Sequence, residues 1–121
     1  MEALVIAKIL AVDDEPEIRS LLELFLTGRG FQVLTAANGL EALAAVEQHD
    51  DIDIILLDLL MPKLTGTATL EELRRRQIKI PVILITGAFS GHHEKIGASA
   101  LFIKPLDFME LLAKINEILG L

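Results

Sequence analysis

The sequence predicts an α/β fold built on a doubly wound parallel sheet. Short apolar runs such as Ile9-Leu10-Ala11-Val12, Ile54-Ile55-Leu56-Leu57 and Val82-Ile83-Leu84-Ile85 read as buried strands. Stretches with apolar residues at helical spacing separate them, which is the βαβ alternation of a parallel sheet with right-handed crossovers. Hydrophobic residues make up 52% of the 121-residue chain, with a mean hydropathy of +0.51. A sheet buried on both faces accounts for that excess, and the length suits a single core.

The first strand covers about Ala7–Val12. A helix starts at Glu15-Pro16, where proline suits the first turn, with Ile18, Leu21, Leu22, Phe25 and Leu26 as its apolar face. Gly30 reads as its stop. The second strand is about Gln32–Ala36. Asn38-Gly39 opens the second helix, Asn38 capping it and Leu40, Leu43, Ala44 and Val46 facing inward. The third strand ends at Leu57, and the third helix covers about Thr67–Arg76. Its end, Arg74-Arg75-Arg76, reads as a solvated terminus suited to the helix dipole. Pro81 opens the fourth strand, and the fifth is about Leu101–Ile103. The last helix covers about Phe108–Leu119, with Leu111, Leu112, Ile115 and Leu119 on one face. Met61 and Met109 read as packing residues, and His49, His92 and His93 as surface residues. Adjacent residues point apart on a helix, so His92-His93 is not a metal pair.

Composition excludes several classes. No apolar run approaches the ~18 residues of a membrane span, and Glu2 and Lys8 do not suit a signal peptide. A cytoplasmic domain is expected. With no cysteine, disulfides and thiolate chemistry are absent. A net charge of −7 argues against direct nucleic-acid binding by this domain.

Chemistry gathers at the strand ends. Asp13-Asp14, Asp58, Thr86 and Lys104 each follow an apolar run. Carboxyl ends of strands in an open parallel sheet converge on one crevice. Three carboxylates, a hydroxyl and an ammonium then share one pocket, and a divalent cation or the lysine must offset their repulsion. Hard oxygen ligands favour Mg²⁺. A carboxylate beside Mg²⁺, a lysine and a threonine hydroxyl can take up a phosphoryl group.

The motifs Val12-Asp13-Asp14-Glu15-Pro16, Leu57-Asp58-Leu59-Leu60-Met61-Pro62 with Gly66 downstream, Ile85-Thr86-Gly87, and Lys104-Pro105 occur in this order, each at a strand end. On these motifs the chain resembles the receiver domain of bacterial two-component response regulators, over essentially its whole length. The resemblance implies a flavodoxin-like (βα)5 fold with sheet order 2-1-3-4-5, residues 1–121 forming one domain. It implies phosphorylation of Asp58 by a sensor histidine kinase, a phosphotransfer protein or a small phosphodonor. Asp14, Asp58 and the Leu60 carbonyl would ligate Mg²⁺, with Asp13 acting through water. Thr86 would bond a phosphoryl oxygen, and Lys104 would pair with Asp58 before modification and with the phosphoryl group afterwards. Pro105 would set the loop carrying Lys104 through a cis bond. The domain would catalyse its own modification without being a turnover enzyme.

Three features depart from the family pattern. Many receivers carry Tyr or Phe where this chain has Leu101. Phe102 next to it faces the other side of the strand and cannot substitute. The segment from Thr86 to Lys104 is a few residues short, which predicts a shortened or absent fourth helix and a switch centred on Thr86, Gly87 and the following loop to Gly97. Leu60 and Ala88 lack the polar groups that orient water in fast-hydrolysing members, so the phosphoryl group should be lost slowly.

Two other function classes compete with a signalling switch. One is a phosphorylation-independent binding module with a receiver fold. The other is a Mg²⁺-dependent phosphatase, which commonly needs a second acid at the position of Leu60. The downstream partner or output domain is not specified. The chain reads equally as a stand-alone receiver or as part of a longer regulator. Ala3-Leu4-Val5-Ile6 reads equally as upstream chain or as an extension of the first strand.

Overall fold

Strands and helices alternate along the computed structural model, which describes residues 5–87 and 97–121. In chain order they are β1 (Lys8–Val12), α1 (Pro16–Thr27), β2 (Gln32–Ala36), α2 (Gly39–Gln48), β3 (Ile54–Asp58), α3 (Gly66–Arg75), β4 (Val82–Thr86), β5 (Ala100–Ile103) and α4 (Phe108–Leu119). The five strands form one sheet in the order β2-β1-β3-β4-β5, as expected. All neighbours are parallel, with Val12 opposite Leu57, Asp58 opposite Ile85 and Thr86 opposite Ile103.

The sheet divides the core in two. Ile9, Ala11, Ile54, Leu56, Ile83 and Ile85 point to one face, where Leu22 and Leu26 of α1 and Leu111 and Ile115 of α4 cover them. Leu10, Val12, Ile55, Leu57, Val82 and Leu84 point to the other, against Leu43 of α2 and Leu70 and Leu73 of α3. Every position in β3 and β4 is buried, because each residue of a doubly covered strand meets a helix layer. The edge strands β2 and β5 are more open.

Local chemistry sets the helix starts. Pro16 opens α1. The side chains of Asn38, Thr65 and Asp107 accept backbone N–H groups in the first turns of α2, α3 and α4. Of these caps, only Asn38 is expected from the sequence. Gly30 stops α1 as expected: the helix runs to Thr27, the Gly30 N–H donates to the Thr27 carbonyl at 3.1 Å and the Phe31 N–H to the Leu26 carbonyl at 3.2 Å, and Gly30 takes the left-handed φ of +95° that this closure needs. Val5, Ile6 and Ala7 precede β1 without joining it.

The inward faces need four corrections. Leu21 is half exposed because α1 meets the sheet along a stripe too narrow for all five of its apolar residues. In α2 the buried positions are Gly39, Ala42 and Leu43, while Leu40 and Ala44 face out. Met109 is exposed at the start of α4. Arg74 is not solvated. Its Nη1 donates to the Ile78 carbonyl at 2.7 Å, and its Nη2 to the Ile80 and Gly97 carbonyls at 3.1 Å each. Only Arg75 and Arg76 reach outward, both pairing with Glu72.

The fourth helix expected between Thr86 and Lys104, with His92 and His93, falls on residues 88–96, outside the described residues. No helix among the described residues is long and apolar enough to cross a membrane.

Candidate functional site

Four strands deliver the polar groups to one end of the sheet. Asp13 and Asp14 follow β1, Asp58 closes β3, Thr86 closes β4 and Lys104 follows β5. Carboxylate oxygens of Asp13, Asp14 and Asp58 lie within 4.8 Å of one another. Asp13, Asp58 and Thr86 are buried, and Asp14 is exposed.

Asp13 is held from four sides. Its N–H donates to the Ala36 carbonyl at 3.1 Å. Its Oδ1 accepts the Glu15 N–H at 2.9 Å, and its carbonyl accepts Arg19 Nη1 at 2.7 Å. Lys104 Nζ lies 3.0 Å from Asp13 Oδ2 and 3.3 Å from Asp58 Oδ2. The other Asp58 oxygen accepts the Leu60 N–H at 3.3 Å. The Lys104 N–H donates to the Thr86 carbonyl at 2.8 Å, which ties the two strand ends together.

The electrostatics follow from burial and an excess of negative charge. Burial, and then the charge of Asp13, raise the Asp58 carboxyl above its usual acidity range, against the pull of Lys104 and the Leu60 N–H. Burial alone would lower the Lys104 ammonium. The carboxylates of Asp13 and Asp58 outweigh it and hold the ammonium above its ordinary value. Both shifts point the same way: the pocket favours added positive charge. Three carboxylates with one ammonium are an oxygen-rich donor set that suits a hard divalent cation.

The remaining expected residues lie at or near the same strand ends. Leu60 is exposed and reaches Asp58 through its backbone N–H. Gly87 is exposed just beyond β4. Pro105 is exposed, and its bond to Lys104 is cis. Leu101 packs with the α2–α3 side of the core and Phe102 with the α1–α4 side, so the two do face apart. Beside Lys104 lies an open, mainly apolar depression of about 530 Å³, lined also by Ile18, Leu21, Leu106 and Phe108.

Three relationships escape the sequence. One is the pairing of Lys104 with Asp13 as well as Asp58. Another is the bond from Arg19, whose one clue is a cation near a helix N-terminus, where the dipole disfavours it. The third is the contact of Gly66 with the strand end that carries Asp58. A Cβ on Gly66 would lie 2.2 Å from the Asp58 carbonyl oxygen and 2.7 Å from Leu59 Cα. The Gly66 N–H donates to the Leu59 carbonyl at 2.9 Å.

A family profile described as the response regulator receiver domain matches residues 9–116. The transcriptional regulatory protein CpxR of Klebsiella pneumoniae is 42% identical over 116 residues, covering 93% of this chain and 49% of that protein. The chain spans about half the length of the curated relatives it matches. Among solved structures, the receiver domain of Francisella response regulator 1452 superposes with a TM-score of 0.89 at 28% identity, covering 94% of this chain and 97% of that one. Response regulator TrrA of Thermotoga maritima, solved in complex with Mg(2+)-BeF, gives 0.83 at 33% identity, covering 93% and 99%.

Proposed function

Because the chain belongs to the response regulator receiver domain family, we propose that it is a phosphoacceptor switch of a two-component phosphorelay, with Asp58 as the acceptor. One observation carries the proposal: Asp58 is a buried carboxylate, gripped by Lys104 and the Leu60 N–H, in a pocket with two more carboxylates.

In the transfer, an ionised Asp58 oxygen attacks the phosphorus of a phosphohistidine on a histidine kinase or phosphotransfer protein. An O–P bond forms, the N–P bond breaks, and the imidazole leaves. Phosphoryl transfer is mostly positioning and charge stabilisation. Lys104 pairs with Asp58 beforehand and with the phosphoryl oxygens afterwards. The Thr86 hydroxyl, at the end of β4, bonds a phosphoryl oxygen in the product. Asp14, Asp58 and the Leu60 carbonyl would hold Mg²⁺, which would supply positive charge against the phosphoryl oxygens. Asp13 is already engaged by Lys104 and would act on the ion through water. The output is carried by a partner or a further domain, and this domain makes no direct nucleic-acid contact. Its setting is the cytoplasm.

Labelling with a small phosphodonor and Mg²⁺ tests this reading. One phosphoryl group should be added to the wild type and none to Asp58→Asn. No adduct on the wild type would favour a phosphorylation-independent binding module, and steady turnover would favour a phosphatase.

A further inference from the structure

We infer that Arg19, outside the acidic pocket, is a positioning residue for its most exposed carboxylate, Asp14. The inference rests on the proposed function, because it concerns the capacity of that pocket to hold Mg²⁺.

Asp13 and Asp14 are adjacent but restrained differently. Asp13 is buried, and both its carboxylate oxygens are engaged, one by the Glu15 N–H and one by Lys104. Asp14 is exposed and lies beyond the end of β1, so no sheet partner sets its direction. Its carboxylate still falls within 4.8 Å of the other two. A freely turning surface aspartate would average over many directions and lose rotamer freedom on taking up an ion.

The Arg19 bond restricts this freedom at the backbone. The carbonyl oxygen of Asp13 and the N–H of Asp14 belong to one rigid, planar peptide unit. Arg19 Nη1 grips that oxygen at 2.7 Å, within the usual range for a charged donor. The Asp13 N–H is held by Ala36 and the Glu15 N–H by Asp13 Oδ1. With the peptide units on both sides of Asp14 held, by Arg19 and by Asp13 Oδ1, the direction of the Asp14 Cα–Cβ bond is set and only the side-chain rotamers remain. Arg19 is half-buried and sits on α1, itself packed on the sheet through Leu22 and Leu26. A packed helix thereby orients an exposed ligand. Partners that orient metal ligands typically change affinity by about 10–100-fold when removed.

The test measures Mg²⁺ binding to the unphosphorylated protein by titration calorimetry with MgCl₂, beside the melting temperature without Mg²⁺. Arg19→Met keeps the aliphatic stem and removes every donor. It should bind Mg²⁺ about ten-fold more weakly, while melting within a few degrees of the wild type. Arg19→Lys, which keeps a charged donor group on a shorter reach, should recover part of the affinity. At saturating Mg²⁺ the phosphorylation rate of Arg19→Met should return close to that of the wild type. Should Arg19→Met fail to fold, an Arg19→Lys variant that folds must show intermediate affinity. Wild-type affinity in either folded variant would overturn the inference alone. A wild type that binds no Mg²⁺ would overturn the proposed function and the inference together.

Discussion

Lys104 is closer to Asp13 than to the proposed acceptor, with its ammonium 3.0 Å from the Asp13 carboxylate and 3.3 Å from that of Asp58. It therefore compensates a buried charge that is not itself modified. Lys104→Met should lower stability by about 2–3 kcal/mol, short of the ~3–5 for a fully buried pair, because a fifth of its side chain is exposed. The stabilisation gained on adding Mg²⁺ should be larger in this variant than in the wild type. Melting curves with and without Mg²⁺ check both, and equal increments would show that Lys104 does not offset the charge the ion would meet.

The acidity of Asp58 makes stability depend on pH. Burial and Asp13 raise its carboxyl above the ordinary 3.8, so the folded state binds that proton more tightly than the unfolded chain. For such a group stability is gained as pH falls through the folded value, and levels off below 3.8. Asp58→Asn lacks this penalty. Without Mg²⁺ it should melt above the wild type at neutral pH, and the gap should close as pH is lowered toward 4. A gap independent of pH would show that the charge of Asp58 is not its source.

Asp14 offers a different contrast, since it is exposed and its removal leaves no buried group unpaired. In Mg²⁺ at ten times the dissociation constant, the wild type should gain about 1.4 kcal/mol. Asp14→Ala should fold normally and lose most of that gain. Equal thermal shifts in both proteins would place the ion elsewhere.

Gly66 has no space for a methyl group against the backbone of Asp58 and Leu59. Gly66→Ala must push α3 and the end of β3 apart, which should cost about 1–3 kcal/mol as overpacking does. The same displacement moves the acceptor, so the labelling rate should fall even where the protein is fully folded. Wild-type labelling in a folded variant would show that the contact sets stability alone.

The fold was legible where one residue type carries one meaning. Runs such as Ile54–Leu57 are apolar at every position because both sheet faces are covered, and each breaks at a polar residue at the carboxyl end of a strand. The acidic pocket could be read for the same reason. Small residues were harder to place. Ala42 is buried and Ala44 exposed, although both fit an apolar count, and Gly39 is buried because a Cβ there would strike Thr69 and Leu64. The grip of Arg19 on a carbonyl and the reach of Lys104 to Asp13 leave no periodic trace. They depend on chain segments that only tertiary folding brings together.

The tie between Arg74 and Gly97 bears on how this domain tolerates change in length. The start of β5 is set by Arg74 on the Gly97 carbonyl and by the Ser99 N–H on the Val82 carbonyl, and its end by the Lys104 N–H on the Thr86 carbonyl. These are fixed points on either side of the edge strand, all downstream of the stretch between Thr86 and Gly97. Deletions or insertions within that stretch can accumulate during divergence without sliding β5 along β4. A slip of one residue would turn the side chains of β5 to opposite faces and carry the ammonium away from the acidic pocket. Engineered loop-length variants are therefore best introduced upstream of Gly97.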